Sequence, residues 1–210
     1  MSQKEIVFAA AIALLSGLGL LSASRILEGP DKRRRQFFVY YTNLSNAAML
    51  LTHGLLLIPG PQRELLRSPT GRYITFLCIL VTFVIYFFVL TRFGRHPGLN
   101  ALGVRRLSNV IVHYLVPGLT AAEWLLAADK RGLGLSDALL WLIMPLSYLA
   151  FLLLRARSGA VIGNTGSLWP YGFMDLEALG FSRWIRNLLW TLAGFLALGL
   201  ALLGLARLLT

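Results

Sequence analysis

Few residues in this chain of 210 have side chains that can do chemistry. Thr42, Ser45, Asn46 and His53 share one apolar stretch, and Asn109, His113, Thr120 and Glu123 share another. The sharpest combination is Thr42 with His113. A threonine hydroxyl is a weak nucleophile until a base takes its proton, and neutral imidazole suits that task near pH 7. Attack on a carbonyl also needs hydrogen-bond donors for the oxyanion and a group that orients the imidazole. Asn46, Asn109 and Asp175 are the oxyanion or orienting candidates. Such a set suits ester hydrolysis on an amphiphile. The three histidines lack HxxxH or HxxE spacing on one helix, and Cys78 is the single cysteine. The spacing therefore argues against a metal site, and the chemistry calls for no cofactor.

These side chains stand in an unusually apolar sequence. Hydrophobic residues make up 57% and charged residues 14%, against ~25% charged in ordinary soluble domains. The mean hydropathy is +0.68. That composition excludes a disordered chain, a disulfide scaffold and a coiled coil. Runs long enough for a bilayer span of ~20 residues fall at about 6–26, 36–58, 72–93, 106–128, 137–154 and 184–208. The expected fold is all-α, a polytopic membrane bundle of six transmembrane helices forming one integral membrane domain over 1–210. The N-terminal run has the outline of a signal peptide. Its length and its small residues Ala13, Gly17, Gly19 and Ala23 favour a retained span that packs closely.

Depth turns the polar residues into a layer. Thr42 lies about six residues into span two and His113 about seven into span four, both from the same side. At 1.5 Å per residue each is ~10 Å below the entry. Tyr86 and Tyr148 reach the same depth from the ends of spans three and five. Thr42, Asn46, Tyr86, His113 and Tyr148 thus share a level. Above it runs a long loop with Trp169 and Tyr171, readable as an interfacial anchor or as a lid. Tyr86, Tyr148, Trp169 and Tyr171 are the substrate-lining candidates. In that loop Asp175 is placed to cap a short turn through Ala178, with Gly180 ending it. Each polar residue has a plainer alternative. A span threonine bonds the carbonyl one turn back, and an asparagine can hold helices together. His53 and His96 are expected near membrane edges in contact with water, and Glu123 at the outer end of span four likewise.

The net charge of +11 reads as membrane orientation rather than nucleic-acid binding. The odd-numbered loops hold thirteen of the 20 Lys and Arg residues, which places those loops in the cytoplasm and both termini outside. The excess of arginine over lysine points to a bacterial inner membrane. The partners implied are membrane lipids and a lipid ester, with no nucleic acid.

Three motifs carry a family resemblance. The stretch Phe37-Phe38-Val39-Tyr40-Tyr41-Thr42-Asn43-Leu44-Ser45-Asn46 resembles the F-x-x-Y-T-x-x-S-N segment of the FAR-17a/androgen-induced (androgen-dependent TFPI-regulating protein-like) family of multipass membrane proteins. His113-Tyr114-Leu115-Val116-Pro117 is similar to its H-x-x-x-P helix. Trp169-Pro170-Tyr171-Gly172-Phe173-Met174-Asp175 is similar to its aromatic-P-Y-x-F-x-D loop. The motifs stand in the family's order over about residues 6–205. The resemblance implies a multipass threonine hydrolase of its bacterial branch, cleaving fatty acid esters of hydroxy fatty acids or similar esters, with Thr42 and His113 as the essential pair. Gly172 stands where a second proline is common in the family, and Tyr114 where a second histidine can occur. The competing expectation is a non-enzymatic lipid-binding protein or small transporter built on the same polar layer.

Overall fold

A computed structural model describes residues 1–24, 32–90, 104–162 and 166–210, the side chains of 32–35 and 104–106 excepted. Among the described residues every regular element is helical. Helix α1 (Gln3–Ser24) is followed by a 3-10 segment (Lys32–Val39) and α2 (Tyr41–Leu57). Pro59 disfavours a helical residue before it, so α2 stops with Ile58 extended, and Pro61 opens the short α3 (Pro61–Arg67). Ser68 then caps α4 (Pro69–Val84) by accepting from the Gly71 amide, with Pro69 in the first turn, where its missing N–H costs nothing. A π-helical turn, Ile85–Leu90, extends α4.

The chain continues as α5 (Val104–Val110), a second π turn (Ile111–Leu115) and α6 (Val116–Leu126). Next come α7 (Leu135–Leu140) and α8 (Ile143–Arg157). The expected fifth span is therefore interrupted at Trp141–Leu142. Pro145 explains the break, because its ring crowds the carbonyl four residues back, that of Trp141. A 3-10 turn (Gly172–Met174), the one-turn α9 (Leu176–Leu179) and the long α10 (Phe181–Leu208) complete the fold.

Four helical stretches are long and apolar enough to cross a membrane: Gln3–Ser24, Pro69–Leu90, Leu135–Arg157 and Phe181–Leu208. Helix α2 has 17 residues, somewhat under the ~20 that a full span takes. The outer faces are apolar too. Leu14 and Leu18 on α1, and Leu189, Trp190 and Leu208 on α10, are exposed, a belt suited to lipid tails rather than water.

Two cores hold the helices. The larger joins Ile12, Met49, Tyr73, Leu77, Val116 and Trp124 across α1, α2, α4 and α6 with Trp141 from the break between α7 and α8. The smaller gathers Val39, Leu152, Trp169, Met174, Trp184 and Leu188 beneath the 166–180 loop. Close approach of α1 depends on Gly19, where an added Cβ would lie 2.7 Å from Val112 Cγ1. The buried face of α1 runs Ala9, Ile12, Ser16 and Gly19. Of the small residues singled out from the sequence, Gly19 is the one on it.

Candidate active site

Thr42 owes its setting to the start of α2. Tyr40 is extended (φ −85°, ψ 128°) and the helix begins at the next residue, which puts Thr42 in the first turn. First-turn amides lack intrahelical partners, and here most are accounted for. The Tyr41 amide donates to the Tyr171 hydroxyl at 3.0 Å. Those of Asn43 and Leu44 donate to the Tyr40 carbonyl. The Thr42 amide makes no such bond among the described residues, and it sits at the electropositive end of the helix.

His113 comes from the second π turn. Pro117 has no amide hydrogen to give back to residue 113, and just before it the Val116 amide reaches Ile111, five residues back. Such widened turns recur at functional sites. The imidazole Nδ1 lies 3.0 Å from the Asn109 carbonyl oxygen. A carbonyl only accepts, so Nδ1 carries the hydrogen and Nε2 presents a lone pair. That Nε2 lies 3.2 Å from Thr42 Oγ1, so the threonine hydroxyl donates to it.

The neighbours hold this pair in place. Tyr86, on the first π turn, stacks on the His113 ring with centroids 3.8 Å apart. Its hydroxyl accepts from Asn109 Nδ2. Asn109 therefore braces the imidazole through its carbonyl and the stacked ring through its amide. Asn46 Nδ2 donates to the Thr42 carbonyl at 2.8 Å and the Val112 carbonyl at 3.1 Å, tying α2 to the turn that bears His113. Both its amide hydrogens are used, an arrangement for orienting rather than for oxyanion binding. Tyr148 donates to the Val39 carbonyl at 2.7 Å. Loss of hydration holds the Tyr171 phenol up at about 12.

Thr42 opens onto a cavity of about 680 Å³, counting its open side. Tyr41, Tyr86, Tyr148 and Tyr171 line it near Thr42, and Leu146, Leu149, Leu192 and Phe195 line it farther out. Its walls are mostly apolar, as in small-molecule sites. Of the four substrate-lining candidates, Tyr86, Tyr148 and Tyr171 are on the wall of this cavity. Trp169 is not: it is buried against Trp184 in the smaller core, and its Nε1 donates to Glu177 at 2.5 Å. Its bulk props the loop instead. Asp175 caps α9 through the Ala178 amide, and Gly180 ends that turn with φ 72°. The other carboxylate oxygen of Asp175 accepts from Ser167 at 2.7 Å. The acid is engaged within the loop, and the imidazole is oriented by a backbone carbonyl.

Two expectations are overturned at the far end of α2. His53 and Glu123 are fully buried, not in contact with water. His53 Nε2 lies 2.9 Å from Glu123 Oε2, and Arg72 lies 2.5 Å from Glu123 Oε1. Arg72 also faces Glu5 at 3.8 Å, and Arg67 joins Glu5 at 3.1 Å. Burial is possible because each charge finds a partner on another helix. The signal for this cluster was in the sequence: His53 and Glu123 lie eleven and ten residues beyond Thr42 and His113, hence ~15 Å deeper at nearly one level. His96 and the basic residues Arg25, Arg92 and Arg95 fall outside the described residues.

Comparison of the chain with protein-family models, curated proteins and solved structures finds no match.

Proposed function

We propose that this chain is an intramembrane hydrolase of lipid esters, with Thr42 as nucleophile and His113 as general base. The observation that carries the reading is the 3.2 Å contact between Thr42 Oγ1 and His113 Nε2 at the mouth of an apolar cavity. The resemblance to the FAR-17a/androgen-induced family supports the same pair. The ester carbonyl sits beside Thr42 while its acyl chain fills the cavity. Thr42 Oγ attacks the carbonyl carbon as its proton passes to His113 Nε2. The tetrahedral adduct collapses with cleavage of the carbon–oxygen bond, and the Nε2 proton goes to the departing alkoxide. Water, deprotonated by His113, then releases the fatty acid and restores the threonine. No cofactor enters these steps. The substrate class is an amphiphilic ester, such as a fatty acid ester of a hydroxy fatty acid. The site is a cell membrane, a bacterial inner membrane in this reading, with odd-numbered loops cytoplasmic and termini outside.

The test is hydrolysis of a lipid-ester panel, and labelling by a fluorophosphonate probe, for the parent, Thr42→Ala and His113→Ala. Loss of both activities in both variants is expected. Variants that label and hydrolyse like the parent refute the proposal. The apolar cavity also suits a non-enzymatic lipid-binding protein. In that case the parent binds fatty acid without cleaving any ester, and Thr42→Ala binds equally well.

A further inference from the structure

The 166–180 loop contributes one hydroxyl to the Thr42 end of the cavity, that of Tyr171. Its hydrogen-bond roles can be assigned one by one. The phenol oxygen accepts from the Tyr41 amide at 3.0 Å. The Tyr148 and Thr42 side chains line the same cavity. Tyr148 has already given its hydrogen to the Val39 carbonyl. Thr42 gives its hydrogen to His113 Nε2, because Nδ1 holds the ring's own proton against Asn109. Neither has a hydrogen left to offer, so any hydrogen bond between them and Tyr171 uses the Tyr171 hydrogen.

The donors run in one direction: Tyr41 amide to Tyr171, Tyr171 to the Thr42 region, Thr42 to His113, His113 to the Asn109 carbonyl. When Thr42 attacks, its oxygen becomes bonded to carbon, and the former carbonyl oxygen gains negative charge beside it. Asn46 cannot serve that oxygen, since both its amide hydrogens are on carbonyls. The Thr42 amide and the Tyr171 hydroxyl are donors on that side of the cavity. The amide already feeding into Tyr171 polarises its O–H and strengthens it as a donor.

We infer that Tyr171 is a catalytic residue of the Thr42 reaction, donating a hydrogen bond to the substrate carbonyl oxygen as it becomes an oxyanion. No proton is transferred in this step; the phenol keeps its hydrogen and stabilises the adduct until the carbon–oxygen bond breaks. The inference rests on the hydrolase reading above.

The experiment compares the parent, Tyr171→Phe and Thr42→Ala as full-length protein in detergent micelles. The readouts are hydrolysis of a medium-chain acyl ester and binding of two ketones of equal chain length. An alkyl trifluoromethyl ketone forms a tetrahedral adduct with the nucleophile, and the matching methyl ketone does not. Tyr171→Phe is expected to lower kcat by about 100- to 1,000-fold with KM little changed. It weakens the trifluoromethyl ketone by a similar factor and leaves the methyl ketone as it was. Unchanged kcat and trifluoromethyl ketone affinity overturn the inference. So does an equal loss of both ketones, which marks a packing role. If Thr42→Ala is inactive while Tyr171→Phe is fully active, only the inference fails. If Thr42→Ala is active, or the parent cleaves no ester, the hydrolase reading fails and takes the inference with it. Should Tyr171→Phe fold poorly, difluorotyrosine at position 171 keeps ring and hydroxyl. Its kcat must then respond to the altered phenol acidity, and an unresponsive kcat overturns the proposal.

Discussion

Arg72→Met is the perturbation whose effect the buried charge cluster fixes most tightly. Arg72 is 4% exposed and Glu123 2% exposed, so neither can turn to water. Arg72 bridges Glu123 at 2.5 Å and Glu5 at 3.8 Å. Without it Glu5 keeps Arg67, but Glu123 is left with His53 alone. A carboxylate stranded in this way costs about 3–5 kcal/mol of stability. Glu123→Leu is expected to cost a similar amount, because it leaves Arg72 with only the longer contact to Glu5 and a ring nitrogen of His53 without its acceptor. The double variant removes both charges together. Its loss should be no larger than either single loss, giving a coupling of at least about 3 kcal/mol. Reversible unfolding in mixed micelles, followed by tryptophan fluorescence, measures all three variants. Single losses below about 1 kcal/mol refute the buried pairing, and so does a double loss equal to the sum of the singles.

Pro117→Ala returns an amide to the helix and should favour a regular turn in place of the π turn. Stability is expected to hold or rise while kcat falls at least tenfold, which unfolding and kinetics of the same preparation separate. Gly19→Val places methyl groups where Val112 already stands, 2.7 Å from an added Cβ. A loss of about 1–3 kcal/mol is expected in the same unfolding assay. Asp175→Ala removes the α9 cap at a cost of about 1 kcal/mol, and limited proteolysis should cut the 166–180 loop faster. Tyr171, held up at about 12, ionises more readily in the unfolded chain. Its contribution is therefore intact below pH 10 and declines between pH 10 and about 12, readable as a falling midpoint of unfolding over that range.

Much of the site was legible because membrane depth is nearly a function of residue count. Counting from each span's entry put Thr42, Tyr86, His113 and Tyr148 at one level, and the first three meet around the imidazole. Counting cannot say which face a helix turns inward. That is why Asn46 looked free to donate when it in fact bridges two backbones, and why Trp169 was placed on the cavity when it fills the core behind it. The charge cluster was missed for a different reason. His53 and Glu123 were judged one at a time against water, and each alone belongs at an edge. Together with Arg72, at the start of the third apolar run, they neutralise one another inside the bundle. The π turns were illegible too. Pro117 was visible, but how the preceding turn accommodates a proline depends on the neighbouring helices.

Two side-chain pairs among the described residues join the rod from Val104 to Leu126 to α2, His113 with Thr42 and Glu123 with His53. Both contacts are read off one helical thread, and each residue advances that thread by about 100°. Gaining or losing a single position between 113 and 123 would swing one contact off its partner while the other stayed seated. Substitutions there change strength by degrees, but a shift in count breaks the phase outright. The chain can therefore vary its side chains along this rod far more freely than its length, like a key whose teeth can be filed but whose spacing cannot be stretched.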